Sequence, residues 1–159
     1  MSIQMSEKEK MPTQYIFGAI FAMANRMQLI GDNFHEEITT KQWFLLAVIS
    51  KFTEEPPTLG QIASVIGTSR QNVKKMAMIL EKEGFVELRK DEKDGRILRV
   101  SLTKKCAEMA QREEQRDMEF LVELFDGMDD KMLDTIYQGF RILESNIIKL
   151  EAKYGKKEM

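Results

Sequence analysis

A mostly α-helical fold of about six helices, with a helix-turn-helix and a two-stranded β wing, is predicted by three features of the sequence. Apolar residues recur at helical spacing through most of the chain. Two short helical patterns meet at a glycine between Thr58 and Leu80. Just beyond them the apolar period drops to two on either side of an Asp-Gly pair. The 159 residues are 43% hydrophobic and 31% charged, with only 9 Gly and 3 Pro, which suits one helix-rich domain with a real core and excludes a disordered chain.

The elements follow in chain order. From Thr13 to about Ile30, the residues Ile16, Ile20, Met23, Met27 and Ile30 recur at helical spacing beside Phe17 and Phe21, and Gly31 is expected to stop that helix. Thr39 with Gln42 three residues on predicts a capping box that opens a second helix carrying Trp43, Leu46, Ala47 and Ile49. Pro56 and Pro57 break the chain. Thr58 with Gln61 opens a short helix ended by Gly67, where the turn calls for positive φ. Thr68 with Gln71 is expected to open the next, which carries Val73, Met76, Ala77 and Leu80 and stops at Gly84.

Val86 and Leu88 then share one face of a strand, as do Leu98, Val100 and Leu102, and the polar Asp91–Gly95 stretch between them signals a hairpin. Thr103 is expected to cap a long helix to Phe125, ended by Gly127, and Asp129 to cap the last. In that last helix Leu133, Ile136, Phe140, Leu143, Ile147 and Leu150 step by three and four, the seam of a helix packed along its length on another. Seam and first-helix stripe together leave more apolar surface than a monomer can cover, so a symmetric dimer is expected.

Charge is unevenly spread. Arg70–Lys105 holds eleven basic and six acidic residues, a net +5, which leaves −7 on the rest of a chain whose total is −2. A basic module in an acidic chain suits a nucleic-acid binder, and a solvated charged hairpin is the plain alternative. On a helical wheel Val73, Met76, Ala77 and Leu80 form the inward stripe, while Gln71, Lys74, Lys75 and Met78 point the other way with Arg70 and Asn72 at the flanks. Residues at a helix N-terminus meet base edges in a major groove; Gln suits adenine, Arg or Lys suits guanine, and Ser69 or Lys75 suits phosphate.

Thr58–Leu80, the following Leu-Glu-Lys-Glu-Gly-Phe-Val, and Asp94-Gly-Arg96 running on to Val100, Leu102 and Thr103 resemble the MarR family of bacterial transcriptional regulators. The resemblance extends over nearly the whole chain. It implies a homodimer whose base is built from the N- and C-terminal helices (residues 12–34 and 103–154) and a winged-helix DNA-binding lobe (residues 38–102), within a single domain of residues 1–159. It also implies double-stranded DNA with a pseudo-palindromic operator as partner, with Ser69, Arg70, Gln71, Asn72, Lys74 and Lys75 at the major groove, Arg96 in the minor groove, and Asp94 orienting the wing. A dimeric, sequence-specific regulator follows, expected to be a repressor released by a small, often aromatic, ligand. Phe17, Phe21, Met27, Trp43 and Met109 are the candidate lining of the ligand cleft. The rival reading is a winged-helix protein-interaction module that never meets DNA.

Other residues support less. Cys106 lies near a helix start, where the dipole lowers a thiol pKa, but a buried packing role fits it better; relatives that sense oxidants do so through a first-helix cysteine that this chain lacks. A lone His35 reads as a loop-packing residue. Met23, Met27, Met109 and Met118 would suit a permissive pocket or ordinary core filling. With one His and one Cys, no Gly-rich phosphate loop and no nucleophile elbow, no enzyme, metal site or cofactor is expected. The mixed-charge Met1–Lys10 and the seven-residue Trp43–Ile49 apolar run predict neither a signal peptide nor a membrane span, hence a cytoplasmic protein.

Overall fold

The computed structural model describes residues 7–155; Met1–Ser6 of the mixed-charge N-terminal stretch and the charged tail after Gly155 lie outside it. The described chain is helical apart from one hairpin: α1 Glu7–Phe34, α2 Thr40–Ile49, α3 Leu59–Ile66, α4 Arg70–Lys82, β1 Val86–Lys90, β2 Leu98–Leu102, α5 Lys104–Leu124 and α6 Asp130–Tyr154. Two compact units divide it, one ending at Gln111 and one beginning at Arg112. No helix among the described residues is long and apolar enough to cross a membrane.

In the first unit the core gathers Leu45, Leu46 and Ile49 of α2, Leu59, Ile62 and Ala63 of α3, and Val73, Ala77 and Leu80 of α4. Phe85, Val86 and Val100 of the wing and Cys106 and Met109 of α5 complete it. α3 and α4 bury the stripes expected of them, whereas α2 buries Leu45, Leu46, Val48 and Ile49 and leaves Trp43 of its expected stripe exposed. The Thr39 and Thr58 capping boxes are both present: each threonine accepts from the backbone N–H three residues on, and Gln42 and Gln61 reach back to the threonine N–H. Gly67 (φ 74°, ψ 39°) ends α3 in the left-handed region, with its own N–H and that of Thr68 both donating to the Ala63 carbonyl. At the end of α4, Gly84 (φ 81°) closes a Schellman turn, in which Phe85 N donates to Leu80 O and Gly84 N to Glu81 O.

Three predicted boundaries shift, the first being the start of α1, which lies at Glu7 and not at Thr13. The N-cap of α4 is Ser69, whose hydroxyl accepts from Asn72 N at 3.2 Å, and not Thr68, whose N–H is already committed to closing α3. Gly31 does not stop α1, which runs on to Phe34. Its bare Cα instead makes room for α2: a Cβ there would sit 2.4 Å from Thr40 Oγ1. Thr40 is pinned in place, its N–H donating to Asp32 Oδ1 at 2.7 Å and its hydroxyl lying 3.0 Å from the Gln28 carbonyl. Gly31→Ala would ordinarily favour a helix, but the overlap with a fixed side chain outweighs that. We expect it to cost about 1–3 kcal/mol in urea unfolding, with most of the cost gone in a Thr40→Ala background.

The second unit holds the remainder of α5 and all of α6. Gly127 (φ 78°) turns the chain between them, and Asp129 caps α6 by accepting from Met132 N at 2.8 Å. No residue of α6 is buried; its seam residues Ile136, Phe140, Leu143, Ile147 and Leu150 are all exposed.

Candidate nucleic-acid interface

The helix-turn-helix is built from α3, the Gly67–Ser69 turn and α4. Burial of Val73, Ala77 and Leu80 fixes the roll of α4, so its opposite face must look outward. Arg70, Gln71, Asn72, Lys74 and Lys75 are all exposed, as is Ser69 at the cap. Ser69 uses its oxygen as an acceptor for the helix, which leaves its hydroxyl proton to donate elsewhere. Asn72 lends its amide nitrogen to Thr68 Oγ1 at 3.3 Å.

The wing is an antiparallel pair in the register Val86↔Leu102, Leu88↔Val100 and Lys90↔Leu98. Neither outer edge is left open. Leu88 N donates to Glu81 Oε1 of α4 at 2.8 Å, and Val100 N donates to the Pro57 carbonyl at 2.9 Å. The first bond ties the wing to α4 itself. Thr103 secures the base, with its N–H donating to Phe85 O and its hydroxyl to Gly84 O at 2.6 Å, while Cys106 N donates to that same hydroxyl oxygen.

At the tip, Asp-Gly is not a two-residue turn. Gly95 keeps a negative φ, and the loop from Asp91 to Ile97 is organised by two carboxylates. Asp91 accepts from Lys93 N and Asp94 N, both at 3.0 Å. Asp94 accepts from Arg96 N and takes its guanidinium in a two-pronged pair, Nε to Oδ1 and Nη2 to Oδ2, each 3.0 Å. The tip arginine therefore has a partner, yet its side chain is 91% exposed. Three of its five N–H donors stay free to face outward, already aimed.

A second arginine was not legible as structural. Arg99, counted with the basic surface, is turned inward: its Nε pairs with Asp91, and its Nη1 donates to the Pro56 carbonyl at 2.7 Å and meets Glu55 Oε2 at 3.3 Å. It clamps the wing to the loop before α3. Period-2 patterning places Arg99 on the outward face of the strand and gives no hint of this; the isolated bridge between Thr58 and Arg99 comes from a chain segment 41 residues earlier. Arg89 pairs with Glu87 and Lys104 with Glu108, whereas Arg70, Lys74, Lys75, Lys82, Lys90 and Lys93 carry no ion pair among the described residues.

Hydrogen bonds from Arg99 hold the Asp91 carboxyl below the usual carboxylate range, and those from Arg96 do the same for Asp94. A carboxylate lowered in the folded state stabilises it above the unfolded pKa and loses that contribution as pH falls through the folded one. The wing should hence keep its geometry from pH 8 to 5 and loosen only below about pH 4, the ordinary aspartate value. Carboxyl-carbon NMR titration of Asp91 and Asp94 checks this; midpoints at or above the ordinary aspartate value would contradict it.

The candidate ligand-lining residues all fall in the first unit. Phe17 and Phe21 meet edge to face at 5.2 Å on the exposed side of α1, with Met27 exposed further along. Trp43 is partly open and stacks on His35 at 5.9 Å, so His35 packs against a ring as a loop residue would. Met109 is only 7% exposed and belongs to the core cluster. Cys106 is buried there too, as its expected packing role requires, and burial pushes its thiol pKa up. Among the described residues no three His, Cys, Asp or Glu side chains gather as a metal site would need.

A capped three-residue turn between two crossed helices, followed by a hairpin hydrogen-bonded to the second of them, defines a winged helix-turn-helix. Residues 38–98, the winged-helix segment, match the model of the MarR family. A curated relative, the transcriptional activatory protein BadR of Rhodopseudomonas palustris, is 30% identical over 92 residues, which are 56% of this chain and 53% of that protein. The match thus spans about half the length of the relative. The MarR protein of Peptoclostridium difficile superposes with a TM-score of 0.79 over 96% of this chain and 98% of its own, at 16% identity. Streptococcus pneumoniae FabT, solved in complex with DNA, gives 0.65 over 87% of this chain and 99% of its own, at 21% identity. At these identities the solved structures establish the fold.

Proposed function

We propose that the chain is a dimeric, sequence-specific DNA-binding transcriptional regulator, with the exposed face of α4 in the major groove and Arg96 in the minor groove. The observation that carries this is the pairing, in one unit, of an unpaired basic helix face with a pre-aimed arginine on a wing bonded to that helix. A protein-interaction winged helix has no need of either. Ser69, Arg70, Gln71, Asn72, Lys74 and Lys75 take the base edges and phosphates of one half-site, and Asp94 orients Arg96. A second copy, covering the apolar faces of α1 and α6, supplies the other half-site about 34 Å away on a pseudo-palindromic operator. Cytoplasmic residence and the lack of any catalytic role belong to the same reading.

The test is selection of genomic DNA with the full chain, followed by titration of the selected duplex at several salt concentrations. The logarithm of affinity should fall with log salt at about 0.9 per phosphate contacted. A chain that selects no sequence and shows a flat salt response is the interaction module instead.

Repression released by a small aromatic ligand is the mode of control we propose. It draws on the exposed aromatic side chains Phe17 and Phe21 and the partly open Trp43 of the first unit, with Met27 exposed on α1; Met109 is buried in the core and would have to be uncovered to line a cleft. The relative described as an activatory protein favours the opposite sign, and a reporter fused to the selected promoter, read with and without the regulator, decides between them. An effector acts only by preferring the DNA-incompetent state, about 1.4 kcal/mol per tenfold loss of affinity. Operator must therefore weaken effector binding by the same factor; a compound that binds equally with and without operator is a passenger.

A further inference from the structure

Met78 is the odd member of the outward face of α4. At 100° per residue it lies between Lys74 and Lys75 and directly beyond Gln71, in the middle of that face, and it is 54% exposed. The core of the first unit is filled without it. Its surroundings are cationic: Arg70, Lys74, Lys75 and Lys82 against Glu81 give α4 a net +3. An apolar side chain ringed by lysines is poorly placed for an apolar protein surface, which would have to bury those charges unpaired. It is well placed where phosphates answer the lysines and an apolar group lies between them. A major groove offers one such group, the C5-methyl of thymine.

Resting on the DNA-binding reading, we propose that Met78 is a specificity-determining residue that reads thymine through this methyl. Gln71 and Met78 are seven residues apart, so Met78 meets the duplex ~10 Å further along the helix axis. With α4 lying along the groove, the thymine falls within about three base pairs of the base under Gln71. Met is suited to the task because its unbranched thioether adapts to the shape of the groove floor. Gln71 and the lysines then supply polar and electrostatic contacts, while Met78 selects A·T pairs of one orientation at a position they do not reach.

The test compares the selected operator with copies in which each thymine in turn is replaced by deoxyuridine, which pairs identically but lacks the methyl. Wild-type protein should lose about fourfold in affinity at one thymine per half-site, the worth of one buried methyl. Met78→Ala should bind the deoxyuridine and thymine operators alike, and Met78→Leu should keep a preference for thymine. Circular dichroism melts of both variants verify that each is folded. If no thymine matters to the wild type, or if Met78→Ala retains the full fourfold preference, the assignment of Met78 is overturned while the DNA-binding reading stands. A chain that binds no duplex even at low salt overturns both.

Discussion

Phe140→Asp should abolish assembly and leave the chain unable to hold its native fold at micromolar concentration. α6 runs 25 residues with nothing buried, and Phe140 at the centre of its seam is 53% exposed. Most of a helix's stability in a protein comes from packing its amphipathic face, so α6 needs a surface on which to lay its apolar stripe. Covering a side chain such as Phe140 or Ile147 contributes about 1.5–3 kcal/mol, and a two-fold interface counts each side chain twice. Aspartate removes that contribution and adds a charge whose burial is unpaired. We expect a loss of about 6–10 kcal/mol per dimer, taking a core-type aromatic deletion of about 3–5 kcal/mol in each copy. That exceeds the stability of many domains of this size. Ser145→Asp, on the opposite side of α6, should leave assembly untouched. Sedimentation equilibrium with circular dichroism is the measurement. A wild-type chain that stays monomeric and folded at 10 µM would remove the dimer from the proposal.

What sequence patterning captures here is local and periodic, and what it loses depends on a partner far along the chain. The stripes of α3 and α4 and the alternation in β1 and β2 are legible because burial on one face imposes a period; α2, apolar nearly all round, buries Leu45 and Val48 in place of Trp43 and Ala47. The caps at Thr39, Thr58, Thr103 and Asp129 are legible because each satisfies helix N–H groups within three residues. Gly31 misleads because a glycine at a helix end and a glycine at a helix crossing look alike until Thr40 is seen against it. Thr68 misleads because its N–H is already held by Ala63, a demand set by the preceding helix. Arg99 misleads most, for a reason of chemistry. Arginine serves equally as a surface charge and as a clamp, and only the approach of Glu55 and Pro56 decides which. The outward face of α4 is legible because what specifies it is the buried stripe on its far side.

Arg96→Ala should weaken operator binding by about 1–3 kcal/mol per half-site and lower the salt slope by about one for each wing engaged. Asp94 sets the orientation of Arg96. Its carboxylate holds the guanidinium by two 3.0 Å hydrogen bonds, so little rotamer freedom remains to be lost on binding, and the outward donors are already set for a narrow groove of strong negative potential. Arg96→Lys separates charge from orientation. Lysine keeps the cation, so the salt slope should stay near the wild-type value, but it has no planar fork to match Asp94. Affinity for operators with a narrow, A·T-rich flank should fall while affinity for other flanks changes little. Asp94→Ala makes the converse separation. It raises the net charge of the wing by one and frees Arg96 to wander, so non-specific binding should rise and the preference for operator over random duplex should shrink. Fluorescence anisotropy with operator and scrambled duplexes at two salt concentrations measures all three variants. If Arg96→Ala binds operator as tightly as the wild type, the wing does not reach the minor groove, and recognition rests on α4 alone.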